Sequence, residues 1–274
     1  MGIGPFAVFA VLFLVLPTAG LFIGAFQDAE GNFTLANIAG LMTPIVANAF
    51  RQSIIVSGVS AILGAVIGLA IAMSLAGPGI PRFLREGLMT LSGVASNFAG
   101  VPLAFAFLAT IGRLGLVTIL LRDLLGIDIY AAGFTILGTT GLTLTYLYFQ
   151  LPLMVLLIMP AVEGLKKEWG EASAMLGATP WQHAWRITAP ILFPSFAGAA
   201  LLLFANGFGA VATAFALTGS FINLVTILLF AEIRGEVLHD PNLGYALAFG
   251  MVAITAVCNI IYLRLRAFSA RRFR

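Results

Sequence analysis

Seven neutral polar side chains lie inside otherwise apolar segments, where they could contact a polar solute. They are Asn97, Tyr146, Tyr148, Gln150, Asn206, Thr213 and Asn259. Amide and hydroxyl groups of this kind can hydrogen-bond a passing solute, or they can equally hydrogen-bond a neighbouring helix. Both interpretations stay open for each residue. If a solute path exists, we expect it to be lined by Asn97, Tyr146, Gln150, Asn206 and Thr213.

Charged side chains are missing from the centres of the same apolar segments. A proton- or ion-driven carrier usually needs a titratable group at such a position, where it marks the relay. The pattern therefore disfavours a secondary carrier. It favours a path whose energy is supplied from elsewhere.

Motifs for catalysis and metal binding are not found in the sequence. There is no Walker A sequence, and the only lysines, Lys166 and Lys167, follow no phosphate-binding glycine loop. The single cysteine, Cys258, is interpreted as a small buried hydrophobe. The two histidines, His183 and His239, are far apart in the chain. We therefore expect no enzyme activity, no metal site and no cofactor in this chain.

Residues 163–190 form a long polar stretch between two apolar segments. Residues 163–176 suit a short helix with Leu165, Trp169, Ala172 and Leu176 on one face. Gly177 then stands where a left-handed residue ends a helix, and Thr179 can cap a second helix with Gln182 as its capping-box partner. That helix is predicted to run to about Thr188 and to end at Pro190. The Trp, Leu and Met side chains of the whole stretch favour either a membrane-interface anchor or a docking element for a partner protein.

The elements that position these residues follow from composition. The chain is 61% hydrophobic and 9% charged, with a mean hydropathy of +1.06, whereas soluble domains carry about 25% charged residues. A membrane span needs about 20 apolar residues. Six windows meet that length, and we predict an all-α integral membrane protein that forms one domain over 1–274. The windows are 5–26, 51–76, 88–111, 135–160, 191–217 and 243–263.

Details of these windows predict how they pack. Gly64 and Gly68 form a pair of small residues, four apart, that allows close helix packing. Pro102 and Pro152 are predicted to kink their helices. The first window has no basic region before it and is too long for a signal-peptide core, so it is expected to remain as a span.

The basic residues predict the orientation of the spans, because Lys and Arg accumulate on the cytoplasmic side. Ten of the 14 Lys and Arg residues fall on one side, which places both termini and residues 163–190 in the cytoplasm. The ten are Arg82, Arg85, Lys166, Lys167, Arg186, Arg264, Arg266, Arg271, Arg272 and Arg274. The basic tail is interpreted as a juxtamembrane anchor rather than a nucleic-acid site.

The stretch 163–190 resembles the EAA loop of permease subunits of binding-protein-dependent ABC importers. That family's pattern is Glu-Ala-Ala, three residues, Gly, nine residues, Ile, one residue and Leu-Pro. This chain matches with Glu171-Ala172-Ser173, Gly177, Ile187 and Ala189-Pro190, so every spacing fits. Ser173 and Ala189 depart mildly from the pattern. The six-span layout with this loop between spans 4 and 5 is also similar to the family's.

The resemblance implies a transport subunit of the bacterial cytoplasmic (inner) membrane that docks on a cytoplasmic ATPase. The expected contact residues are Glu171, Ala172, Ser173, Gly177, Ala178, Ile187 and Pro190. The implied assembly has a pair of ATPase subunits carrying ATP and Mg²⁺, a second permease that is usually a different chain, and an extracytoplasmic solute-binding protein. Outer loops such as 112–134 would help to receive that binding protein.

The substrate is less specified by the resemblance. The general pattern is similar to the spermidine/putrescine branch, so a polyamine is expected first, with phosphonate, ferric iron and thiamine as further candidates. The competing class is a stand-alone channel or secondary transporter that needs no ATPase.

Overall fold

The computed structural model describes residues 3–28, 30–77, 79–234 and 241–272, which form helices joined by short loops. Of the residues named above, His239 and Arg274 lie outside these ranges. Two short segments, π1 and π2, have the wider π-helical turn. The elements are α1 Ile3–Ala10, π1 Val11–Val15, α2 Leu16–Ala25, α3 Ala36–Gly40, α4 Pro44–Ala76, α5 Arg82–Asn97, α6 Val101–Ile111, α7 Leu116–Leu125, α8 Thr139–Glu163, α9 Lys167–Met175, α10 Pro180–His183, π2 Ala184–Thr188, α11 Ala189–Phe208, α12 Val211–Thr218, α13 Val225–Arg234 and α14 Pro241–Arg272.

Six helical runs among the described residues are long and apolar enough to cross a membrane, which confirms the predicted fold class and number of spans. The runs are Gly4–Ala25, Pro44–Ala76, Val101–Leu125, Thr139–Glu163, Pro180–Phe208 and Asn242–Leu265. Three of the predicted boundaries are wrong. The second run begins seven residues before the predicted 51–76 window. The starts of the third and fifth runs lie further from the predicted windows 88–111 and 191–217.

The predicted third span, 88–111, is two helices rather than one. Helix α5 ends at Asn97, residues 98–100 are not helical, and α6 begins at Val101. Pro102 lies in the first turn of α6 and does not kink a continuing helix, so that prediction is wrong. A proline ring clashes with the carbonyl four residues earlier, here that of Phe98, which favours a helix start at this point over a continuing helix. Gly100, which precedes α6, has a φ of +75°, a conformation that favours glycine.

The predicted helix end at Pro190 is also wrong, because the helix continues from Pro180 to Phe208. The segment π2 immediately precedes the proline, and the Ala189 N–H donates to the Ala184 carbonyl, five residues back. This wider turn makes room for a ring that would otherwise clash. The same arrangement precedes Pro17, where the Leu16 N–H donates to the Val11 carbonyl. The run ends instead at Gly209, which separates α11 from α12.

The chain divides into two compact units. One comprises Met1–Ser53 and Asn223–Ala256, and the other comprises Ile54–Ile222 and Val257–Arg274. In the first unit, Phe22 and Phe26 pack edge-on against Phe249. In the same unit the Ser53 hydroxyl accepts a hydrogen bond from the Val225 N–H, at 2.9 Å.

The core of the second unit lies where α4, α8 and α11 pack together. Its buried side chains include Ala65, Ile158 and Leu203, one from each of these helices. A Cβ on Gly68 would lie 2.6 Å from the Cβ of Met154, and one on Gly64 would lie 3.1 Å from that of Gln150. The predicted packing role of Gly64 and Gly68 is therefore confirmed, and α8 is the helix that they approach.

Candidate functional site

We use the name hinged segment for residues 163–190. Helix α9 within it ends in a Schellman motif: the Gly177 N–H donates to the Ala174 carbonyl at 2.9 Å, and the Ala178 N–H donates to the Ser173 carbonyl at 3.0 Å. Gly177 has a φ of +75°, the left-handed conformation that glycine adopts with least strain. The prediction of a helix ended by Gly177 is confirmed.

The second helix of the hinged segment begins with the predicted cap. The Gln182 N–H donates to the Thr179 hydroxyl at 3.3 Å, and the Thr179 N–H donates to the Gln182 side-chain carbonyl at 2.9 Å. Both halves of the capping box are thus present, with Pro180 in the first turn. Two helices with well-defined ends therefore meet at a short turn of residues 176–179.

Large apolar side chains of the hinged segment are left on its surface. Met175 is 90% exposed and Leu176 is 89% exposed, while Trp181 and Trp185 are also exposed and contact each other edge-on. Their burial would be worth roughly 1.5–3 kcal/mol for each aliphatic side chain. The segment therefore presents a surface that would gain stability from a partner.

A cleft of about 650 Å³ separates α9 from the following helical run. Trp169, Ala172 and Leu176 all line it, as expected for one face. The prediction is wrong for Leu165, which precedes α9 and packs against the buried core instead. Gly177, Ala178 and Ile187 of the predicted contact set also line the cleft. Glu171 and Pro190 are exposed, whereas Ser173 is only 6% exposed and faces inward.

An ion pair ties the start of the hinged segment to α5. The Arg85 guanidinium contacts the carboxylate of Glu163, the last residue of α8. Sequence analysis did not find this contact, because the two residues are 78 positions apart and nothing in their spacing links them. The pair joins the end of α8, where the hinged segment begins, to α5.

Two polar residues of the apolar helices, Thr213 and Tyr146, contact a second feature, the paired break, which we define as the non-helical residues 98–100 and 209–210. The Gly100 N–H donates to the Thr213 hydroxyl at 2.7 Å. The Tyr146 hydroxyl donates to the Ala210 carbonyl at 2.9 Å. Both side chains are 2% exposed. Buried backbone groups freed by a helix break need such partners, and Thr213 and Tyr146 supply them.

Gln150 lies beside the paired break, fully buried between Gly64 and Gly207. Its amide nitrogen is 3.5 Å from the Leu203 carbonyl, and among the described residues its side-chain oxygen has no hydrogen-bond partner. A Cβ on Gly207 would lie 2.7 Å from that nitrogen, so the glycine makes room for the amide.

The remaining candidate residues are exposed. Asn97 and Asn206 are both exposed, and each lies within one helical turn of a break. The Asn97 side chain donates to the Gly93 carbonyl of its own helix at 2.8 Å. Tyr148 is 40% exposed and packs edge-on against Phe98 and Phe107, and Asn259 is exposed on α14.

The loop after α7 is held by an aromatic contact. Arg113 lies over the Tyr130 ring, 5.5 Å from its centroid, and the Tyr130 hydroxyl donates to the Ile111 carbonyl at 2.8 Å. Burial raises the pKa of the Tyr130 phenol above its ordinary value.

Sequence comparison finds curated relatives along most of the chain. The molybdenum transport system permease protein ModB of Mycobacterium bovis is 28% identical over 220 residues, which cover 79% of this chain and 78% of that protein. The sulfate transport system permease protein CysW of Synechococcus elongatus is 24% identical over 99% of this chain and 91% of its own length. The spermidine/putrescine transport system permease protein PotB of Haemophilus influenzae is 26% identical over 93% of this chain and 89% of its own length. No family model matches the chain.

Structure comparison gives the same fold. A bacterial ABC transporter involved in the import of the acidic polysaccharide alginate matches with a TM-score of 0.72 and 16% identity, over 98% of this chain and 93% of that chain. The alginate ABC transporter in complex with alginate pentasaccharide-bound periplasmic protein matches with a TM-score of 0.70 and 17% identity, over 97% and 92%.

The homologues of this chain are therefore ABC importer permeases, and its fold is that of ABC transporters. Together with six apolar helices, this homology identifies a multi-pass membrane protein. The resemblance of residues 163–190 to ABC importer permeases is thus confirmed by these homologues. The spermidine/putrescine branch is one of several among the relatives, beside molybdenum and sulfate systems.

Proposed function

We propose that this chain is the permease subunit of an ATP-driven importer, and that the hinged segment is its coupling element. The main support for the coupling role is the structure of the hinged segment. It has a short helix, Gly177 in the left-handed conformation and a capped second helix, with Met175 and Leu176 exposed. Its second helix is the beginning of the continuous helical run Pro180–Phe208. A force applied to α9 therefore reaches that span through one turn.

The length of that helical run supports a place at the membrane surface. Twenty-nine residues at 1.5 Å each span about 43 Å, whereas the hydrocarbon core is about 30 Å thick. Part of the run therefore has to project beyond the core. We propose that the projecting part is the Trp-bearing start, on the cytoplasmic side, where the excess of Lys and Arg also places it.

We propose two different roles for the polar residues of the path. Asn97 and Asn206 are exposed beside the paired break and are proposed to contact the solute. Tyr146, Gln150 and Thr213 are buried and hydrogen-bonded to backbone groups, so we propose that they hold the frame of the path. Mutation of the first pair should then change transport with little change in stability.

The proposed partners are a cytoplasmic pair of ATPase subunits that bind ATP and Mg²⁺, a second permease of different sequence, and an extracytoplasmic solute-binding protein. The assembly would sit in the bacterial inner membrane, in contact with lipid. The match to an importer bound to its periplasmic protein supports the last partner. The loop held by Arg113 and Tyr130 is its proposed contact.

For the substrate we propose a small polar solute, with two classes to be tested. Two of the three relatives named above carry molybdenum or sulfate in their names, which favours a small oxyanion. The third supports a polyamine such as spermidine or putrescine, the class expected from the sequence. Binding measurements on the cognate solute-binding protein, with molybdate, sulfate and spermidine in parallel, would separate the two classes.

Crosslinking tests the coupling proposal directly. Cys258 is the only cysteine, so its replacement by Ala gives a background for new single cysteines. Met175→Cys should crosslink to a co-expressed ATPase encoded beside this gene. Leu124→Cys, which is 75% exposed on α7, is the matched control and should not crosslink.

The outcome also decides between the two function classes. A stand-alone channel or secondary transporter would give no crosslink at Met175 and would move solute without ATP. Failure of Met175→Cys to crosslink, while a known permease–ATPase pair reacts in parallel, would contradict the coupling role.

A further inference from the structure

Ser173 and His183 join the two helices of the hinged segment. The Ser173 hydroxyl donates to the Gly170 carbonyl at 2.8 Å, and its oxygen is 2.9 Å from the His183 Nδ1. A serine hydroxyl has one proton to donate. Since that proton is used on Gly170, the His183 Nδ1–H donates to Ser173.

This hydrogen bond crosses the cleft between α9 and the following helical run. The cleft separates α9 from the helical run, and both Ser173 and His183 line it. The covalent link is the turn at residues 176–179, which contains Gly177 and therefore allows α9 to change its angle. A contact across the cleft then determines which angle is populated.

We propose that Ser173 and His183 are positioning residues, which form a latch that sets the angle of α9 about Gly177. The latch rests on the proposed function, because the angle decides how Met175 and Leu176 meet the ATPase. The EAA pattern has Ala at position 173, and an Ala there could not accept the hydrogen bond from His183. Ser173 thus acts by binding His183 and does not itself contact the ATPase.

The test measures solute imported per ATP hydrolysed by the complete importer in proteoliposomes. Ser173→Ala and His183→Ala should each lower this ratio by roughly three- to tenfold, the factor expected for one hydrogen bond. The double variant should be no worse than either single variant, because both remove the same bond. His183→Asn keeps an N–H donor at the Nδ1 position and should restore the ratio.

Ser60→Ala is the matched control, because Ser60 is also buried but donates only within its own helix. Its ratio should equal that of the unmodified chain. The latch is overturned if the single variants match the unmodified chain, if their losses add in the double variant, or if His183→Asn is as poor as His183→Ala. Absence of ATP-driven import by the unmodified chain would instead overturn the proposed function.

Discussion

The hinged segment and the paired break are both interruptions of helix, but they are stabilised in different ways. The turn of the hinged segment is closed by hydrogen bonds between residues three to five positions apart, from Ser173 to Gln182, and the Ser173–His183 contact spans only ten positions. The paired break is closed by hydrogen bonds across 113 and 64 positions, from Gly100 to Thr213 and from Tyr146 to Ala210.

The two regions also differ in what they leave exposed. The hinged segment presents Met175, Leu176, Trp181 and Trp185, whereas the hydroxyls at the paired break are buried. The difference indicates separate tasks. One region leaves apolar side chains exposed, where the proposed partner could cover them, and the other lets helices stop and restart without leaving buried backbone groups unsatisfied.

The largest expected effect is at Gly177, where we predict that Gly177→Val lowers ATP-driven import at least about tenfold. The φ of +75° is strained for a β-branched residue, although a Cβ would have no neighbour within 4 Å. Backbone strain alone should therefore break the hinge while the chain still inserts. Uptake into proteoliposomes and the amount of membrane-inserted protein measure the two effects.

Gly170→Ala is the control for that variant, because Gly170 lies within α9 and an added Cβ there also has open space. It should leave import unchanged. Equal losses from both variants would mean that crowding or helix propensity matters here and the left-handed turn does not.

The second prediction concerns Thr213, whose replacement by Val leaves the Gly100 N–H without its acceptor. We expect a loss of about 1–3 kcal/mol in the free energy of unfolding, the range for a buried group left unsatisfied. Thr218→Val on the same helix removes an equally buried hydroxyl that donates to the Ala214 carbonyl. Unfolding titrations in mixed micelles should show the larger loss for Thr213→Val, and equal losses would remove the special role of the break.

A smaller effect is expected at Tyr146. Tyr146→Phe removes the hydroxyl that donates to the Ala210 carbonyl, and we predict a loss of about 1 kcal/mol in the free energy of unfolding. Tyr148→Phe, at a partly exposed ring two residues away, should change it by less than about 0.5 kcal/mol. The same titrations compare them, and reversal of their order would contradict the assignment.

The smallest effect is expected at the Arg85–Glu163 pair, which is partly exposed. Arg85→Glu and Glu163→Arg should each destabilise by about 0.2–1 kcal/mol, and the double exchange should restore most of the loss. The neighbouring Arg82–Glu86 pair, within one helix and more exposed, is the control. Its single variants should have less effect, and raised salt should reduce all of the differences.

Prediction from sequence succeeded where the information is local. Gly177 and the Thr179–Gln182 box are each recognised from a few neighbouring residues, and both occur as expected. It failed at Pro190, because the wider turn of π2 accommodates the proline ring. It failed at Pro102, because residues 98–100, with Gly100 at a φ of +75°, separate two helices that hydropathy alone treats as continuous. Apolar composition measures preference for the membrane and does not register a break of three residues.

By itself the sequence determined a chain of six apolar helices with a hinged polar segment between two of them, because hydropathy, helix caps and the EAA spacing can be recognised from neighbouring residues. Only the tertiary structure decided that Thr213 and Tyr146 hold the paired break, that Arg85 anchors Glu163 and that Ser173 meets His183. These contacts depend on how helices are placed in space. A side-chain hydrogen bond between distant residues has no preferred sequence spacing, so no pattern along the chain could have predicted it.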